Sequence, residues 1–158
     1  MPTVKAIPTG YHALTPCLVV KGPAKAIYYY KQAFGAQERE RMPGPNGTIM
    51  HAELKIGDST LMLADEMPQM GTVSPASLKG SPSSLYLYVE QVDAVFDRAV
   101  QAGATVQMPV ADMFWGDRAG SLVDPFGHRW MIGTHIQDLS SDEIRRRGQE
   151  FMAARKPA

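Results

Sequence analysis

The chain has a single cysteine, Cys17, in 158 residues. That excludes an internal disulfide and any cysteine-rich metal cluster, and it fits a reduced, cytoplasmic setting. Cys17 stands in the apolar run CLVV, which predicts a buried, inert thiol rather than a nucleophile. The chain also lacks an excess of charge. Sixteen acidic residues balance sixteen basic ones, so nothing draws it as a whole to nucleic acid or to an anionic membrane. The basic run Arg145-Arg146-Arg147 lies beside acids and predicts a solvated helix face. No apolar run approaches a membrane span, and the opening MPTVKAIPTGYH has no apolar signal core. No GxGxxG follows a strand, which leaves nucleotide binding without support.

What is present is ordinary globular material. At 44% hydrophobic and 20% charged, the chain suits one domain, or two small modules sharing a core. Residues 12–20, HALTPCLVV, predict a strand with an edge or bulge at Pro16. Residues 23–34 predict a helix that opens at Pro23 and ends at Gly35. Within it Ile27, Tyr30 and Phe34 share a buried face. In TIMHAELKI, Met50, Ala52, Leu54 and Ile56 alternate with His51, Glu53 and Lys55, and Ile49 breaks the phase. Gly57-Asp58 turns this strand into STLMLAD as a hairpin. After a Pro-, Gly- and Ser-rich connection at 66–82 come the strand SSLYLYV, a helix closed by Gly103, and three strands. The last two flank the turn Asp124-Pro125-Phe126-Gly127.

The two halves repeat. Leu18 and Leu87, Val20 and Val89, Ile27 and Phe96, Gly47 and Gly116, and Met62 and Met131 are each 69 residues apart. One offset held through strand, helix and turn predicts an α+β fold of two βαβββ modules, at 12–65 and 83–136. Each is too small to bury its sheet alone. Their pairing is expected to put the helices outside and a concave sheet surface between. The segment 137–158 predicts an added C-terminal helix with a capping box of Ser140 and Glu143, docked through Ile144, Phe151 and Met152. Gly148 weakens its centre.

The stretches TPCLVVKGPAKAIYYYKQAFGA, RMPGPNGTIMHAEL, LYVEQVDAVFDRAVQAGA and GDRAGSLVDPFGHRWMI resemble the vicinal oxygen chelate superfamily, in its PhnB-like branch. That superfamily includes glyoxalase, extradiol dioxygenases and bleomycin-resistance proteins. The resemblance implies the glyoxalase/bleomycin-resistance fold and a homodimer, with a cup built within one chain or between two. It places the superfamily's four metal-ligand positions at Thr15, Met62, Ser84 and Met131. None is a good ligand for a divalent cation, because zinc takes Cys, His or carboxylate and magnesium takes oxygen anions. Two thioethers and two hydroxyls would be odd even for Cu(I). These residues disfavour a divalent metal and predict a chain without a metal cofactor.

Strand parity puts Tyr86 and Tyr88 on the same face as Ser84, in the cup, as ring surface with a hydroxyl handle. A Tyr pair that fills the cup without any ligand is the bland alternative. Met62 and Met131 would add adaptable apolar contact. His51 and Glu53 share one strand face, either as a base with its orienting partner or as two metal ligands. Trp115 and Arg118 sit beside a glycine turn. Arg118 would grip a carboxylate or phosphate, or else pair with Asp117 or Asp124. His12, His128 and His135 read as surface or structural histidines. The leading expectation is a metal-free protein that holds a small, partly aromatic or apolar molecule. Its alternatives are a metal-dependent lyase or dioxygenase using His51 and Glu53, and an interaction protein with a closed cup.

Overall fold

The computed structural model describes residues 4–155. Residues 156–158 of the expected C-terminal extension lie outside the described residues. The first module runs β1 (Cys17–Val20), α1 (Pro23–Phe34), β2 (Gln37–Pro43), β3 (Ile49–Ile56) and β4 (Ser59–Asp65). A short helix α2 (Pro75–Leu78) stands in the connection. The second module runs β5 (Ser84–Tyr88), α3 (Val92–Gln101), β6 (Thr105–Asp112), β7 (Asp117–Val123) and β8 (Arg129–His135), followed by α4 (Ser141–Ala154).

The strand orders are β1-β4-β3-β2 and β5-β8-β7-β6. The repeat is thus a repeat of topology and also of register. Cys17 lies opposite Met62 in one parallel pair, and Tyr86 lies opposite Met131 in the other. α1 starts and stops as its sequence dictates. Pro23 supplies the first turn, and Gly35, at φ 66, closes the last by donating its N–H to the Tyr30 carbonyl.

Three local expectations give way. The strand predicted from residue 12 begins only at Cys17, and Thr15 instead turns its hydroxyl to the His12 carbonyl at 3.0 Å. Cys17 is exposed, because parity sends Leu18 and Val20 into the core and Cys17 to the other face. In β3, Met42 pairs with His51 but Pro43 pairs with Ile49, so Met50 is the extra residue of a bulge. Ile49 therefore fills the core and Met50 stays outside. The 66–82 connection is also ordered, with α2 packed against β1 and Ser74 and Pro75 buried.

The helices are not outside. α1 lies on β3 and β4, α3 lies on β6, β7 and β8, and the two helices pack against each other. Tyr29 Oη donates to the Ala99 carbonyl across their contact at 3.3 Å. Trp130, on β8, meets Phe34 and Tyr30 of α1 with ring centroids 4.8 and 5.7 Å apart. The covered faces of both sheets merge into one apolar core, and their open faces turn away from this helical layer.

One buried carboxylate ties the modules together. Asp124 Oδ2 accepts from Tyr30 Oη at 2.6 Å and from Trp130 Nε1 at 2.9 Å. Its Oδ1 accepts the backbone N–H groups of Phe126 and His128. Burial, then Asp124 itself, pushes the Tyr30 hydroxyl far above its ordinary pKa, so it remains a donor. Tyr30→Phe removes one of four hydrogen bonds to this ion and is expected to cost about 1.5–3 kcal/mol in urea unfolding. An unchanged midpoint would show that the bond contributes nothing to the module interface.

Candidate functional site

Both open faces carry polar and aromatic groups, in two separate constellations. On the first sheet, β3 presents His51 and Glu53, and Glu53 lies opposite Met62 of β4. His51 Nε2 is 3.1 Å from Glu53 Oε1. The N-terminal segment crosses this face: the Gly10 carbonyl accepts from Thr60 Oγ1 at 2.9 Å, and Tyr11 Oη donates to Glu53 Oε2. The Tyr11 hydroxyl first, and His51 second, hold Glu53 below the usual carboxylate range. The result is an ionised carboxylate that orients an imidazole.

On the second sheet the centre is Asp117, the first residue of β7, with its side chain 2% exposed. Its Oδ2 accepts from Tyr86 Oη at 2.8 Å, Tyr88 Oη at 2.9 Å and Trp115 Nε1 at 3.0 Å. Its Oδ1 faces His135 Nδ1 at 2.8 Å. Burial pushes this carboxyl upward, but His135, Tyr86, Tyr88 and Trp115 together outweigh it and hold Asp117 ionised, below its ordinary value. His135 Nε2 faces Asp138 at 3.0 Å. With a carboxylate at each ring nitrogen, Asp117 first and Asp138 second, the imidazolium is favoured and its pKa is raised.

Asp117 also explains how the tyrosines lie. Tyr86 reaches it by lying flat across β8 at Gly133, where a Cβ would come within 2.6 Å of Tyr86 Oη and 3.0 Å of its ring. The Tyr86 and Tyr88 rings stack at 4.6 Å with 28° between their planes. They remain 40% and 62% exposed, so they form a platform rather than a plug.

Of the residues expected to form a site, Tyr86, Tyr88 and Trp115 converge on Asp117, and Met131 sits beside Tyr86. His51, Glu53 and Met62 gather on the other sheet. Among the described residues, no hydrogen bond or aromatic contact joins the two sets. Arg118 pairs with neither Asp117 nor Asp124. It makes a two-pronged contact with Asp93 at 2.7 and 2.8 Å and a third bond to Asp112 at 2.9 Å. Its neighbour across β8 is Thr134, on the helix side of the sheet. His128 is buried and bonds the Val19 carbonyl through Nε2 at 2.9 Å. Asp117 was expected only as a partner for Arg118 and His135 only as a surface or structural histidine, and Tyr11 carried no expectation.

The four positions that the resemblance assigns to metal ligands carry two hydroxyls and two thioethers. Thr15 precedes β1, Ser84 lies opposite the cation Arg129, and the two thioethers face Cys17 and Tyr86. Among the described residues, no three His, Cys, Asp or Glu side chains are grouped to hold a metal ion. Among the described residues, His51 and Glu53 have no third such side chain grouped with them.

The Asp117–His135 pair fixes a pH window. The raised His135 pKa stabilises the fold below the unfolded value of about 6.5, and that contribution is lost as pH rises through the folded value. The lowered Asp117 pKa acts in the opposite sense, with its contribution lost only in acid. The melting temperature is therefore expected to fall above about pH 6.5 in the native chain, and the His135→Gln variant should flatten that limb. Parallel profiles would remove His135 from the account.

Comparison with known proteins agrees with this architecture. The family model described as the Glyoxalase/Bleomycin resistance protein/Dioxygenase superfamily matches residues 11–132. The protein Rv0887c of Mycobacterium tuberculosis is 47% identical over 135 residues, covering 84% of this chain and 79% of its own. The crystal structure of TioX from Micromonospora sp. ML1 superposes with a TM-score of 0.61 at 30% identity, covering 79% of this chain and 99% of its own. The Arabidopsis thaliana At5g48480 product gives 0.62 at 26% identity, over 77% and 98%. With the two βαβββ modules in place, the match shows that this chain belongs to the glyoxalase/bleomycin resistance protein/dioxygenase superfamily.

Proposed function

We propose that this chain is a metal-independent member of its superfamily, one that binds a small, partly aromatic or apolar molecule on its open sheet faces. The observation that carries the proposal is the Tyr86–Tyr88 platform, held flat by Asp117 yet left exposed. A contiguous exposed aromatic surface is the mark of an interaction site. Here two hydrogen bonds to Asp117 hold the rings in place, which is preorganisation for stacking. Met131 beside Tyr86 adds an adaptable apolar contact. Such a protein sequesters or carries its ligand without transforming it. A homodimer in which another copy completes each open face belongs to the same proposal, as does a cytoplasmic setting for the free, exposed Cys17.

A second function has its own support. The Tyr11–Glu53–His51 chain is an oriented imidazole on an exposed face, the arrangement of a general base with its partner. It would serve proton abstraction without a metal.

Thermal-shift screening against a panel of aromatic and aliphatic compounds separates the two. Hits are expected to raise the melting temperature and to be recovered chemically unchanged. The Tyr86→Leu variant should weaken them about tenfold or more, the equivalent of losing roughly 1.4 kcal/mol of stacking. A hit converted to product, with conversion abolished by His51→Ala, would replace binding by catalysis.

A further inference from the structure

The geometry around Asp117 specifies the chemical class of the ligand, if the ligand-binding proposal above holds. We infer that the outer ring face of Tyr88, with Tyr86 behind it and Trp115 beside it, is a binding site for a planar organic cation. A quaternary or protonated nitrogen heteroaromatic is the class that fits.

Tyr86, Tyr88 and Trp115 together own three side-chain hydrogens able to form hydrogen bonds, and all three point at the same oxygen, Asp117 Oδ2. None is left for a carboxylate, phosphate or carbonyl on a ligand. The platform offers only ring faces and phenol lone pairs.

A phenol that donates to a carboxylate gains electron density, and the negative face of its ring is what attracts a cation. Two such rings, stacked at 4.6 Å and sharing one buried anion, reinforce one another. Tyr88 is the outer ring at 62% exposure, so a flat ligand continues the stack.

A groove of about 900 Å³ runs beside these rings, lined among others by Tyr86, Tyr88, Glu90, Asp58 and His135. His135 is spent on two carboxylates, and Asp138, the outer one, is fully exposed. Arg118 is spent on Asp93 and Asp112. Arg98 of α3 lines this groove and also the cleft between α1 and α3. Lys55 and His12 stand beside Asp58, which leaves Glu90 as the acid that lines the groove with the rings and has no ion pair among the described residues.

Isothermal titration at pH 8 with three flat probes of one shape tests this: N-methylacridinium, neutral acridine and acridine-9-carboxylate. The cation is expected to bind at least tenfold more tightly than acridine, with the carboxylate weakest. Tyr88→Leu should cost the cation at least tenfold. Tyr88→Phe, which keeps the ring and loses its bond to Asp117, should keep acridine binding and shrink the preference for the cation. Equal or tighter binding of acridine, still lost in Tyr88→Leu, would overturn the cation assignment and leave the aromatic-ligand proposal standing. Binding indifferent to Tyr88→Leu would overturn the site. No binding of any probe to the native chain would overturn both proposals.

Discussion

Everything in this molecule follows from the need of two small sheets to bury one face each. Neither module has enough apolar surface to do so alone. The solution is a common core, with α1 and α3 packed together between the covered faces. Once Leu18, Leu54, Leu63, Leu122, Trp130 and Ile132 are committed to that core, strand parity leaves no freedom on the other side. Cys17, Met62, His51 and Glu53 must face outward on one sheet, and Tyr86, Tyr88, Met131 and Asp117 on the other. The chemistry of the open faces is the complement of the packing.

Two buried carboxylates then do unlike jobs by the same physical means. An ion removed from water must be repaid by close donors, and Asp124 and Asp117 each have four polar partners. Three of those of Asp124 come from its own module, and the fourth, Tyr30 of α1, reaches it only with the modules docked. Those of Asp117 come from side chains on or near the open face, so its satisfaction arranges rings that would otherwise rotate freely. One carboxylate holds the fold together and the other shapes a surface.

Much of this was legible in the sequence. Pro23 and Gly35 bracket a helix that runs from Pro23 to Phe34, because caps are local chemistry. The offset of 69 residues reappears as matched register, Cys17 with Met62 and Tyr86 with Met131, because both modules solve the same burial problem. What stayed hidden was non-local. The bulge at Met50 depends on how β2 pairs with β3, and the placement of the helices depends on how the modules dock. Asp117 was hidden for a different reason. Next to Arg118 in WGDRAG it reads as half of an ion pair, yet adjacent strand residues point to opposite faces. Arg118 goes to Asp93 on the helix side and Asp117 goes to the tyrosines. Gly133 gave no signal either, because its role is to make room for a ring 47 residues earlier in the chain.

The superfamily's fold supports several chemistries, and membership alone selects none of them. In this chain the positions that would hold a metal carry two thioethers and two hydroxyls, and a buried carboxylate gathers two stacked rings on an open face. The most direct measurement is metal content, on untagged protein incubated with Mn²⁺, Fe²⁺, Ni²⁺ or Zn²⁺ and then desalted. The account predicts near-zero metal per chain in every case. About one metal per chain, abolished by His51→Ala, would contradict it and move the functional centre from the Tyr86–Tyr88 platform to the face that carries His51 and Glu53.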